Sequence, residues 1–346
     1  MEYRNLDLYP EFDTLKALPR VDLASVLTET RIKDYSIPLP EGFAFNYAAS
    51  KVDEWILDSF QKLSDALGLV DRYANLLSGQ IMNTGEGRMV LHHLARGNLG
   101  TGVVKNGVDL RNFYEEERLK AAAFAGKVHR GEILGSSGKP FQNVVQIGIG
   151  GSDLGPRAAY LALERWAKAE GRHRMKAYFI SNVDPDDADN TLSALDLERS
   201  LFILVSKSGT TQETLANETL VKLRLEKAGL DPAHHMVAVT STSSPLAQNP
   251  DYIARFYIDD YIGGRYSTSS AVGGVVLSLA FEPDAFSQFL EGAHSFDRAA
   301  LERNVRKNAS LLAALIGMYE RNVLGYSSTA VLPYTEALSR FPAHLQ

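Results

Sequence analysis

The sequence predicts an α/β protein: a parallel sheet flanked by helices in a three-layer αβα sandwich, joined to a mostly helical N-terminal region. Three observations predict it. From Gln142 the hydrophobic period shortens to β-branched runs at Asn143–Ile147, Lys176–Ile180, Leu201–Val205 and His235–Thr240. Helical stretches at Pro156–Glu170, Asp187–Leu197 and Gln212–Ala228 separate those runs. Strands alternating with helices form parallel βαβ units, whose ligands bind at the carboxyl ends of the strands. The composition is globular, with 45% hydrophobic and 23% charged residues among 346; it excludes disorder, collagen-like repeats and coiled coil, and the length suits about two domains.

Before Gly138 the apolar spacing is helical. Val52–Leu67 places Trp55, Ile56, Phe60, Leu63 and Leu67 on one face. Asn112–Arg130 carries Glu115, Glu116 and Glu117 near its start, where the helix dipole favours anions, and the acidic run reads as a solvated face. Arg88–Arg96 is a further helical pattern. Its His92 and His93 have no carboxylate at ligand spacing and read as packing and surface residues rather than metal ligands. Ser327–Leu332 reads as the first strand of a second sheet.

Several function classes drop out. No cysteine is present, which excludes a disulfide scaffold, a thiol nucleophile and cysteine-ligated metal. The net charge is 36 − 42 = −6 without a Lys/Arg cluster, which argues against nucleic-acid binding. Met1 to Phe12 carries Glu2, Asp7 and Glu11 and no apolar core, unlike a signal peptide. The longest apolar stretch, Ala271–Phe281, is broken by glycines and Ser278 and is too short to span a bilayer. A soluble, cytoplasmic protein is expected.

Three loops carry candidate chemistry. The first, Gly148-Ile-Gly-Gly-Ser-Asp-Leu-Gly-Pro156, follows the first strand. A dinucleotide fingerprint would need glycine where Asp153 stands. Taken alone, the loop fits a tight strand-to-helix turn as well as a ligand contact. The second, Ser206-Lys-Ser-Gly-Thr-Thr-Gln-Glu-Thr214, places four hydroxyls and a lysine in six positions between a buried strand and a helix start. That suits a phosphate monoester better than a simple cap by Thr211, which needs one hydroxyl. A neighbouring segment, Gly135-Ser-Ser-Gly-Lys139, is no P-loop: Ile133 replaces the first glycine, and Pro140 follows the lysine. The third loop, Asp260-Tyr-Ile-Gly-Gly-Arg-Tyr-Ser-Thr-Ser-Ser-Ala-Val-Gly273, presents Arg265 behind paired glycines. Arg265 can supply fixed charge beside a developing anion, or pair structurally with Asp259 or Asp260.

Together with Gly85-Glu-Gly-Arg-Met-Val-Leu-His92, these loops resemble the glucose-6-phosphate isomerase (phosphoglucose isomerase) family in order and spacing, including its D-x-[IV]-G-G-R-[FY]-S signature at residues 260–267. The resemblance implies a sugar-isomerase (SIS) domain over 139–285, after a helical region at 1–138. A helical linker and the start of a second, incomplete SIS domain would occupy 286–346. It implies reversible conversion of glucose 6-phosphate to fructose 6-phosphate, a step of glycolysis and gluconeogenesis, without metal or organic cofactor, by a homodimer whose partner chain gives a histidine to each site. Carried over, Ser206, Lys207, Ser208 and Thr211 hold phosphate, with Gly209 and Thr210 as its backbone. Gly151 and Ser152 touch the sugar, and Arg265 stabilises the cis-enediolate.

Enediolate chemistry also needs a carboxylate base and a ring-opening acid. The family's base lies in the segment M-E-S-N-G-K, which the resemblance places about five residues beyond Gln346, with a histidine and a lysine further on. Glu336 and His344 correspond to helix positions before the base. The 346 residues alone are therefore expected to be catalytically dead or nearly so, and full turnover in a coupled assay would overturn that. The alternative function is a non-catalytic sugar-phosphate-binding SIS module, against which stands the missing basic recognition helix of such regulators.

Overall fold

The computed structural model describes residues 4–346. The chain forms two compact units. One comprises residues up to Met89, Leu99–Thr101 and Glu291–Ala330; the other comprises Val90–Asn98, Gly102–Leu290 and Val331–Gln346. This division differs from cuts near 138 and 285. The helix Leu110–His129 gives its apolar face to the core of the sheet, while Val305, Leu312 and Tyr319 pack with the N-terminal helices.

The first unit is built on Pro10–Ala17, Glu54–Leu67, Leu69–Leu77 and Ala309–Asn322. The expected helix at 52–67 begins at Glu54 because the Asp53 side chain accepts a hydrogen bond from the Ile56 amide at 2.9 Å. It ends at Gly68, whose φ of +58° is left-handed. Ile56, Phe60 and Leu63 are fully buried, but Trp55 is 73% exposed. It stands one position off the 56/60/63/67 stripe, so its place on the apolar face is corrected. A short antiparallel pair, Ser36–Pro38 with Ala44–Asn46, interrupts the helices.

The second unit holds a five-stranded parallel sheet: β1 Asn143–Ile147, β2 Lys176–Ile180, β3 Ser200–Val205, β4 Met236–Thr240 and β5 Ala254–Tyr257, in the order β2-β1-β3-β4-β5. Four of these match the runs read from sequence; β5, a short edge strand containing Arg255, was not among them. The helices flanking the sheet are α1 Leu110–His129, α2 Leu154–Ala169, α3 Pro185–Ser193, α4 Gln212–Lys227 and α5 Ala271–Ala280.

Alternation along the strands sorts side chains to two faces. Val144, Leu201, Ile203, Val237 and Phe256 pack with residues of α1, α2 and α5. Val145, Ile147, Phe202, Leu204 and Ala238 pack with residues of α3 and α4. The result is the three-layer sandwich. Every residue of β3 is buried, as a central parallel strand covered on both faces requires, and each such Leu or Ile stabilises the fold by roughly 1.5–3 kcal/mol.

Other readings are corrected. Glu115 and Glu116 are solvated, but Glu117 is buried; its carboxylate accepts from the Tyr257 amide at 2.8 Å and pairs with Lys120 at 3.3 Å. Burial raises its pKa. Only His92–Arg96 of the pattern at 88–96 is helical. Residues 327–332 form no strand. A strand needs a partner for its amides and carbonyls, and among the described residues none pairs with this segment. The segment Gly135–Lys139 is a turn locked to β4's entry: the Ser136 amide donates to Nε2 of buried His235 at 3.1 Å. Among the described residues no helix is long and apolar enough to cross a membrane.

Candidate active site

The chain leaves β1 toward β2 on one side and resumes at β3 on the other. The topological switch point, where open parallel sheets bind ligands, therefore lies between β1 and β3. The first two candidate loops leave the carboxyl ends of these two strands.

The loop after β3 is ordered from within. Buried Ser206 accepts from the Gly209 amide at 3.1 Å and donates to Thr211 Oγ1 at 3.3 Å. Ser208 Oγ accepts from the Thr210 amide at 3.2 Å and from its hydroxyl at 3.0 Å. Gly209 is left-handed at φ +68°, and a Cβ there would overlap Ser244 Oγ. Thr240 anchors the strand exit by donating to the Ser206 carbonyl at 2.7 Å. Thr211 stands at the N-cap of α4, yet its side chain accepts no hydrogen bond from the helix's first turn. A simple capping role is therefore not what this hydroxyl cluster performs. The 16-residue helix begins with uncapped amides directly after a segment holding exposed Ser208 and Thr210 and half-buried Lys207; such helix starts receive anions.

The third loop follows β5 and folds into a 3-10 turn at Gly264–Ser269. The two carboxylates that could have paired with Arg265 are otherwise engaged. Asp259 accepts from the Tyr114 hydroxyl at 2.6 Å and from the Tyr261 amide at 2.9 Å. Burial holds its pKa above the usual carboxylate range despite these bonds. Asp260 pairs with Lys207 at 3.5 Å, linking this loop to the loop after β3. Arg265 is exposed, and among the described residues no hydrogen bond or ion pair holds its guanidinium. Its structural pairing is not made.

The first loop touches the third through backbone. A Cβ on Gly151 would overlap the Gly264 carbonyl and come within 2.7 Å of the Arg265 nitrogen. Only glycine permits this approach. Ser267 secures it by donating to the carbonyls of Gly264 at 2.7 Å and Gly151 at 3.3 Å. The Ser152 carbonyl accepts from Gln146 Nε2 at 2.6 Å. Asp153, where a dinucleotide loop needs glycine, is buried and bonded to Arg157 Nε at 2.8 Å. All nine candidate residues thus lie on three loops joined at Gly151–Gly264 and Lys207–Asp260.

Sequence reasoning missed Gln146, Asp260 as partner of Lys207, Ser267 and His92. Gln146 left a signal, a polar residue within an apolar strand. His92 accepts from the Gly263 amide at 2.9 Å and meets the Tyr266 ring edge-on, with centroids 5.7 Å apart.

The profile of the phosphoglucose isomerase family matches residues 46–346. A glucose-6-phosphate isomerase of Treponema denticola is 53% identical across all of this chain and 67% of its own length. One from Borreliella burgdorferi is 42% identical across all of this chain and 66% of its own length. The crystal structure of a glucose-6-phosphate isomerase from Chlamydia trachomatis superposes with a TM-score of 0.89 at 38% identity, over 99% of this chain and 66% of that one. The chain therefore spans about two thirds of the length of these relatives.

Proposed function

The chain belongs to the phosphoglucose isomerase family, and from that premise we propose that its protein interconverts glucose 6-phosphate and fructose 6-phosphate through a cis-enediolate, as a cytoplasmic homodimer. The observation that carries this reading is the uncapped start of α4, preceded directly by Ser206, Lys207 and Ser208 and begun at Thr211. A phosphate dianion there would receive backbone amides and hydroxyl donors together with the Lys207 charge, and Gly209 and Thr210 supply the turn. Gly151 and Ser152, at the switch point, are proposed to meet the sugar.

Isomerisation moves a proton from C2 to C1 while the negative charge of the intermediate sits on the oxygens of C1 and C2. Arg265 cannot take that proton, because guanidinium stays charged. It is proposed to lower the barrier by facing the developing enediolate. Its freedom from any protein carboxylate supports the role, since an ion pair would already have spent its field.

Binding tests the proposal with only the residues described. Calorimetric titration would compare inorganic phosphate with a phosphorylated sugar acid such as 5-phosphoarabinonate, whose carboxylate mimics the enediolate. Arg265→Ala should weaken the mimic at least tenfold more than it weakens phosphate; equal losses would remove Arg265 from the role.

A further inference from the structure

The Arg265 loop is held from below by a short segment that the proposed chemistry does not use. Leu91 donates its amide to the Tyr261 carbonyl at 3.1 Å. One residue on, His92 Nε2 accepts from the Gly263 amide at 2.9 Å, and its ring packs edge-on against Tyr266. One turn further, Arg96 Nε reaches Ser269 Oγ at 3.4 Å. His92 thus grips the residues on either side of the Gly264-Arg265 pair, two positions before the guanidinium and one after.

The chemistry of this grip is specific. An amide that points at a nitrogen needs that nitrogen to carry a lone pair, so Nε2 must be bare and the ring proton must sit on Nδ1. The charged groups facing the ring are Arg96, from its own helix, and Lys207, from the loop after β3; both are cations. Burial and these cations disfavour imidazolium, pushing the pKa down to about 4. A carboxylate at this place could also accept from Gly263, but it would set a second anion beside Lys207, which Asp260 already pairs. A neutral acceptor anchors the loop without adding to the carboxylate charge that Asp260 already brings to Lys207.

We infer that His92 is a positioning residue for Arg265, acting as an uncharged acceptor that fixes the Gly263–Tyr266 turn so that the guanidinium stands ready for the enediolate. The inference rests on the isomerase reading of the site. A purely structural histidine would lower stability and affinity for every ligand alike. A positioning histidine affects the enediolate mimic more than phosphate, because phosphate contacts lie on the other loop.

The test uses the 346-residue chain, wild type and with His92→Ala or His92→Gln, titrated with inorganic phosphate and with 5-phosphoarabinonate at pH 7.5. Gln places a carbonyl oxygen close to the Nε2 position and keeps the acceptor. His92→Ala should weaken the mimic about tenfold or more and phosphate less than about twofold, and His92→Gln should recover most of the loss. If His92→Ala weakens both ligands equally or neither, or if His92→Gln does no better than Ala, the inference is overturned while the isomerase reading stands. Failure of the wild-type chain to bind either ligand would overturn that reading and the inference with it. Nitrogen-15 spectra of the wild-type imidazole should show one neutral tautomer, protonated at Nδ1, at pH 7; imidazolium or an Nε2-protonated ring there also overturns the inference, whatever the variants' stability.

Discussion

Gly151→Ala probes the join between the loop after β1, proposed to meet the sugar, and the Arg265 loop. The new Cβ would lie 2.7 Å from the Arg265 nitrogen, against an ordinary contact of 3.4 Å. The two backbones must therefore separate by at least 3.4 − 2.7 = 0.7 Å, and by more at the Gly264 carbonyl, which lies nearer still. No flexible side chain can absorb this, since both sides of the contact are main chain. Overpacking of this kind costs about 1–3 kcal/mol, and a shift of about 1 Å or more in a positioned group costs about 100-fold in transition-state complementarity. We expect the enediolate mimic to bind about 10- to 100-fold more weakly. Inorganic phosphate should lose less than about threefold, because its loop makes no contact through Gly151. Isothermal calorimetry on both ligands, with a thermal melt expected to fall by about 2–4 °C per kcal/mol lost, reads the result. Wild-type affinity for the mimic in a stably folded Gly151→Ala protein would refute the argument that this approach places Arg265.

Ser206→Ala should act oppositely in selectivity: losing the hydroxyl that orders Gly209 and Thr211, it should weaken phosphate and mimic by a similar factor of about 3–10, and a loss confined to the mimic counts against the clamp. His235→Leu removes the acceptor of the Ser136 amide and the contact of Nδ1 with the Ser200 carbonyl at 2.9 Å; denaturant unfolding should show about 2–4 kcal/mol lost, and a loss under about 0.5 kcal/mol would refute the buried-network reading. For His92, the folded pKa near 4 lies below the ordinary 6.5. Its stabilising contribution is therefore complete above pH 6.5 and disappears as the pH falls toward 4. Between pH 7 and 4.5 wild type should lose about 2 kcal/mol more unfolding free energy than His92→Gln; parallel profiles would contradict a neutral His92.

The parallel sheet was legible because its strands are nearly continuous apolar runs, as at Leu201–Val205, cut by amphipathic helices. Its edge strand Ala254–Tyr257 was not, since four residues containing Arg255 have no period to read. The loop after β3 stood out through chemical excess: four hydroxyls and a lysine exceed what a helix cap uses, and Thr211 makes no cap bond. The anchors were hidden because they act at a distance in sequence. Asp260 meets Lys207 across 53 positions, and His92 meets Gly263 across 171. Nothing local to His92 distinguishes an acceptor for a remote amide from an ordinary packed histidine. Glu117 misled for the same reason, since the Tyr257 amide that its carboxylate accepts from comes from 140 residues downstream.

All ten residues of α5 are buried, and Ser270, at the end of the arginine loop, caps it by accepting from the Val272 amide at 3.3 Å. The loop is thus continuous with one of the least accessible segments of the fold. Its last residues, Ser267, Ser269 and Ser270, are buried with that helix, while Gly263–Tyr266 stand exposed: opening the buried end draws on the packing of the whole sheet unit. Amides of α5 should consequently exchange with solvent only through global unfolding.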